Sequence, residues 1–105
     1  MRLIVSPLAE ADITSAWRWY QIKWDVLGQR FIAQLDITLT RVSTRPELYP
    51  VVYRDIHRAL LNKFPYAVYY QLINHQIVII AVLHQSQSSR HLQQRSIHPL
   101  DLDKL

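Results

Sequence analysis

The sequence contains no cysteine and a single glycine, Gly28. The missing thiols exclude a disulfide scaffold, a thiolate zinc site and a cysteine nucleophile. They fit a reducing cytoplasm. One glycine cannot build a glycine-rich phosphate loop. No apolar run approaches the ~20 residues that a membrane-spanning helix needs. The opening MRLIVSPLAE offers three consecutive apolar residues before Ser6 and meets acid at Glu10, too short for the apolar core of a signal peptide. A soluble, cytoplasmic protein without membrane association is expected. Acid is scarce as well: eight Asp and Glu face twelve Lys and Arg, for a net charge of +4. Nine of the twelve are arginine, which suits flat contacts with carboxylates, phosphates or aromatic faces.

The basic surplus is concentrated. Arg41, Arg45, Arg54, Arg58, Lys63, Arg90 and Arg95 stand against only Glu47 and Asp55 over residues 41–95. A basic surface implies an acidic partner, nucleic acid or protein, or simply solubility. His57, His75, His84, His91 and His98 form no close pair of the kind zinc sites use, so no metal is expected. No serine sits in a nucleophile elbow. Nothing in the chain calls for a cofactor.

What is present is one domain's worth of periodic segments. At 105 residues the chain buries roughly 65% of its unfolded surface. RLIVS reads as a first strand, and Ser6-Pro7 as the cap and first position of a helix over residues 7–24. Ala9, Ile13, Ala16, Trp17, Tyr20 and Trp24 form its apolar face, with Trp19 off that face. Gly28 falls where the first helix should have stopped. Phe31, Ile32, Leu35, Leu39 and Val42 mark a second helix that ends before Pro46. After the loop PELYP, residues 51–54 and 57–61 read as short strands around a turn at Asp55-Ile56. YAVYYQLI alternates, with Tyr66, Val68, Tyr70 and Leu72 on one face and Ala67, Tyr69 and Gln71 on the other. Asn74-His75 is the natural turn. QIVIIAVLH is apolar on both faces and predicts a central strand. Ser88 or Ser89 is placed to cap a short helix carrying Arg90, Leu92 and Arg95. The expected fold is α+β: an N-terminal strand, an α-helical hairpin packed on a curved antiparallel sheet of about four strands, and a short C-terminal helix. Residues 1–97 form the domain. Residues 98–105 form a tail, mobile or docked on a partner.

In order along the chain, several pieces resemble the RelE/ParE superfamily, the toxins of bacterial type II toxin–antitoxin modules, and its ParE branch in particular. They are Pro7 with the acidic start of the first helix, Phe31 and Leu35, the loop Pro46-Glu47-Leu48-Tyr49-Pro50, and Arg58. Phe64-Pro65-Tyr66 with Val68-Tyr69-Tyr70 follows, then Ile77-Val78-Ile79 leading to Ala81-Val82 and His84-Gln85. The resemblance covers about residues 2–95. It implies a toxin that arrests growth by binding DNA gyrase. It also implies a cognate antitoxin whose extended segment folds on binding, in a heterotetramer or beside a toxin homodimer. Arg58, His84, Gln85, Arg90 and Arg95 would face the target, and Trp19, Arg54 and Tyr70 the antitoxin. ParE-like toxins usually follow this strand end with arginine, proline, an aromatic residue and arginine. Here Gln87, Ser88-Ser89 and His91-Leu92 stand instead, and only Arg95 matches.

Two other readings stay open at this level. The ribosome-dependent messenger-RNA endonucleases share the fold, and His84, Arg58, Tyr66 and Tyr69 are the candidate catalytic groups for that chemistry. It needs a base, an acid and cations for the phosphate. Two arginines of that branch fall on Ala67 and within His84–Gln87, where this chain has none. Alternatively, the altered C-terminal segment leaves a weakened toxin homologue that retains only antitoxin binding. His84 itself is either a groove residue or a strand-end histidine bonded to nearby backbone.

Overall fold

The structure, a computed structural model, describes residues 1–105, the side chains of residues 88 and 89 excepted. The cap expected at Ser88 or Ser89 falls on those two residues and lies outside the described ones. Strand β1 is Arg2–Val5 and helix α1 is Pro7–Lys23. The Ser6 hydroxyl caps α1 by accepting from the Ala9 N–H at 3.2 Å, and Pro7 takes the first helical position, where a missing N–H costs nothing. Helix α2, Asp25–Thr44, begins after a single extended residue, Trp24. Trp24 was expected on the core face but is 55% exposed, because it is the link between the helices rather than the end of one. Gly28 lies inside α2 and does not mark its start. A Cβ there would press on the Gln21 side chain and meet the Trp17 indole nitrogen at 3.2 Å, a tight contact that glycine spares.

Pro46–Leu48 forms a turn of 3-10 helix, followed by strands β2 (Val51–Tyr53), β3 (Ile56–Leu60), β4 (Tyr66–Ile73) and β5 (Gln76–His84). The reversal between β2 and β3 sits at Arg54-Asp55, one residue earlier than expected. Arg54 adopts a φ of 49°, and Ile56 joins the strand, fully buried. Asn74 and His75 both take positive φ in the β4–β5 turn, as the sequence predicts. The sheet has five strands in the order β1-β5-β4-β3-β2, against about four expected. β1 runs parallel to β5, and the other pairings are antiparallel.

The pleat sorts β4 and β5 into two faces. The first carries Val68, Tyr70, Ile77, Ile79 and Val82, and packs on Phe31, Leu35 and Val42 of the helical hairpin. The second carries Ala67, Tyr69, Ile73, Val78, Ile80, Ala81 and Leu83. A bulge breaks the register: Tyr69 opposes Ala81 while Tyr70 opposes Ile79, leaving Ile80 as the extra residue. Ile80 and Ala81 therefore both face the second side.

The second face is covered by α3 (Ser88–Arg95) and a 3-10 segment, Pro99–Lys104, which bring in Leu92, Ile97 and Leu102. Of the tail, Leu102 packs on this face. Buried Gln71 holds the residue before the tail, Ile97. Its amide oxygen accepts from the Ile97 N–H at 2.8 Å, and its amide nitrogen donates to the Ile97 carbonyl and to the Asp55 carboxylate at 3.1 Å each. A side-chain amide here does the pairing that a neighbouring strand would do.

Candidate functional site

β1 ends at Val5, and the Ser6 N–H donates to the Ile79 carbonyl; beyond that point β5 keeps β4 on one side and has no strand on its β1 side. Its edge is closed by side chains. Asp12 of α1 accepts from the Val82 N–H at 3.0 Å. Arg95 of α3 donates to the Ile80 carbonyl at 2.8 Å and makes a two-pronged contact with Asp12, 2.9 Å on each arm. Both side chains are only 13–14% exposed. The pair ties α1, β5 and α3 together and satisfies backbone groups that would otherwise invite another strand.

Past this plug, α1 and the end of β5 form a groove of about 580 Å³, lined among others by Ser15, Trp19, Tyr20, Tyr66, His84 and Ser86. Its wall is a chain of aromatic contacts. Trp19 meets Tyr20 edge-on at 5.3 Å, Tyr20 meets Tyr66 at 6.0 Å, and Tyr66 meets the His84 ring at 5.4 Å. Trp19 is 56% exposed, with the Lys23 ammonium 4.5 Å from its ring centre. Burial raises the pKa of the Tyr20 phenol, with a further rise from Tyr66, and burial also raises that of Tyr66. Both phenols keep their protons at neutral pH, as an ordinary phenol does. The His84 Nδ1 accepts from the Ser86 N–H at 3.1 Å and lies 2.9 Å from the Ser86 hydroxyl. A ring nitrogen that accepts from a backbone N–H carries no proton, so in the neutral ring the proton sits on Nε2, ready to donate. His84 thus bonds local backbone and also lines the groove.

The residues singled out in the sequence do not all converge here. Trp19, Tyr66 and His84 line the groove. Gln85 is exposed just beyond it, and its backbone N–H extends the β4–β5 pairing by donating to Pro65 at 2.9 Å. Arg90 is exposed on α3. Arg95 is not a free surface cation, being held by Asp12. Arg58 opposes Tyr69 across β3 and β4, so it projects from the second face, away from His84. Tyr69 is 1% exposed. Tyr70, expected to face an antitoxin, is fully buried under the hairpin; its hydroxyl donates to the Pro46 carbonyl, and its ring stacks on His57 at 5.0 Å. Arg54 sits at the β2–β3 turn with its guanidinium 5.2 Å from the Tyr53 ring centre. Among the described residues no group of three acidic or histidine side chains is placed to hold a metal, and no helix is long and apolar enough to cross a membrane.

Sequence reasoning missed Asp12, Gln71 and Ser86. Asp12 was read only as favourable charge at a helix start, and Gln71 as one residue of an alternating strand. Their partners lie 70 or 83 residues away for Asp12 and 26 for Gln71, beyond any local pattern. The His84-x-Ser86 spacing was the one local signal available for Ser86.

No curated protein matches the sequence. The fold is similar to that of a solved chain described as the chromosomal ParDE TA system from P. aeruginosa, with a TM-score of 0.72 and 12% identity over 80% of this chain and 95% of that one. A family model described as the ParE toxin of the type II toxin–antitoxin system, parDE, matches residues 3–89. That span runs from β1 through the hairpin and all of β5 to the start of α3, so it includes every residue of the groove wall. With this much of its length accounted for, the chain belongs to the ParE toxin family of type II toxin–antitoxin systems.

Proposed function

We propose that the chain arrests growth as a binding protein in the cytoplasm, with DNA gyrase as its target and a cognate antitoxin that neutralises it. The groove between α1 and the end of β5 carries this reading. It joins an exposed tryptophan, two protonated phenols and an imidazole N–H on one wall, a combination suited to recognising another macromolecule. His84 lines the groove and Gln85 follows it in the chain; with exposed Arg90 on α3 they stay assigned to the target, and Trp19, first assigned to the antitoxin, is reassigned to the target as the anchor of the groove. The similar P. aeruginosa chain is described as part of a ParDE system, which supports an antitoxin partner here. The basic surplus of the chain favours an acidic antitoxin segment that folds as it binds.

Nuclease action is the weaker reading for a geometric reason. A phosphodiester cut needs its base, acid and cations around one phosphate. His84 and Arg58 project from opposite faces of the sheet, and Arg95 is occupied by Asp12. The test is purified chain incubated with gyrase and supercoiled DNA, in parallel with translating ribosomes. Dose-dependent loss of supercoiling that falls at least tenfold in Trp19→Ala is the expected result. Cut message on ribosomes with gyrase unaffected would overturn the proposal.

A further inference from the structure

Helix α1 is apolar on two sides. Ala9, Ile13, Ala16, Trp17 and Tyr20 pack on the core. On the outer side Leu8 is 58% exposed, Trp19 56% and Ile22 79%, with exposed Ala11 and Ser15 between them. At 3.6 residues per turn these five fall within about 80° of arc, so they form one stripe. None of the five carries a charge. Large apolar side chains aligned on an exposed helix mark a contact surface. The spacing names the occupant. The intervals from Leu8 to Ile22 are three, four, four and three residues, the same read from either end, with Ser15 at the centre. A second copy of α1, laid antiparallel with a two-fold axis at Ser15, therefore sets Leu8 opposite the partner's Ile22 and Ala11 opposite the partner's Trp19. Small meets large at each inner pair, and Ser15 meets its own copy at the axis, which lets the two helices approach closely. A surface that complements itself in this way is what an isologous dimer requires.

We infer that two copies of the chain pair through the outer stripe of α1, and that this dimer masks the groove. Ser15 and Trp19 belong both to the stripe and to the groove wall, so a copy seated on one covers the other. The masking rests on the groove being the target site; the pairing does not. Residues 8–22 span roughly 21 Å of helix, a contact at the small end of protein interfaces. The dimer is accordingly weak and reversible: dilution frees the groove, and accumulation of the chain closes it. Each chain carries a net charge of +4, so two copies repel, and salt that screens the repulsion tightens the pair. An acidic partner on the same stripe would respond to salt in the opposite direction.

The experiment is sedimentation equilibrium of the full chain over a range of concentrations and at two salt levels. A monomer–dimer equilibrium with a dissociation constant on the order of 10–100 μM is expected, tighter at the higher salt. Leu8→Glu and Ile22→Lys each put a charge on an exposed position, leave the core untouched and should weaken the dimer at least tenfold. The double variant Leu8→Glu/Ile22→Lys should restore it, because the two new charges face each other across the two-fold axis. Within one chain the two positions lie too far apart to pair, so rescue reports the antiparallel contact itself. Circular dichroism checks that all three variants fold. A chain that stays monomeric up to about 1 mM overturns the inference, even if a different protein binds the stripe. So does a dimer that survives both single variants, or a double variant as monomeric as its parents. Ile22 is outside the groove, so Ile22→Lys should inhibit gyrase as the wild type does at low concentration. Dimerisation with no gyrase inhibition would remove the target reading and leave the pairing intact.

Discussion

The two faces of one sheet are closed by different physics. The first face meets the helical hairpin through large apolar side chains such as Phe31, Leu35, Val42, Tyr70 and Ile79. Burial on that scale needs shape and area but little direction. The second face is covered by a short helix and a 3-10 segment contributing Leu92, Ile97 and Leu102. So small an apolar cover is fixed by directional bonds instead: Gln71 to the Ile97 backbone, and Arg95 to Asp12 and Ile80. The family model ends at residue 89, at the start of that second cover. The first cover rests on apolar contact, and the second leans on polar clamps.

The contrast can be tested by breaking each side in its own currency. Phe31→Ala removes a fully buried ring that packs on Tyr20, Phe64 and Tyr66. It should cost about 3–5 kcal/mol, read by urea unfolding, and should loosen the whole domain. Asp12→Ala should cost about 2 kcal/mol, because Arg95 and the Val82 N–H lose their acceptor together. Hydrogen exchange should then quicken in α3 and at Val82 while the hairpin stays protected. An Asp12→Ala effect equal to that of Phe31→Ala and spread over both faces would erase the distinction.

A third test uses pH. The pKa values of Tyr20, Tyr66 and Tyr70, all on the first face, are raised from 10.0, chiefly by burial. The unfolded chain therefore ionises them first, and above about pH 10 it binds fewer protons than the folded chain. Stability is full below that pH and falls as pH rises through the folded values. Tyr70→Phe should flatten that alkaline decline by about 1 kcal/mol per pH unit in the steep region, read from thermal unfolding between pH 9 and 11.

Much of this was legible in the linear chain. Ser6-Pro7 announced α1, alternation in YAVYYQLI sorted β4 onto its two faces, and Asn74-His75 marked the turn. These features depend on neighbours a few residues apart, and a sequence displays such neighbours directly. The site was less legible. Arg58, His84 and Arg95 looked like one basic margin, but the pleat sends Arg58 and His84 to opposite sides and Asp12 takes Arg95. Trp24 carried the right spacing for the core and became a link, because the second helix starts one residue later.

The sequence by itself determined the elements, the buried faces of the hairpin and strands, and the excess of arginine, all set by local periodicity and composition. Only the tertiary structure decided which arginine is spent on an ion pair and where the groove opens. Those outcomes depend on groups up to 83 residues apart meeting at one strand edge. A charge takes its role from the partner beside it, and that partner exists only once the chain has closed.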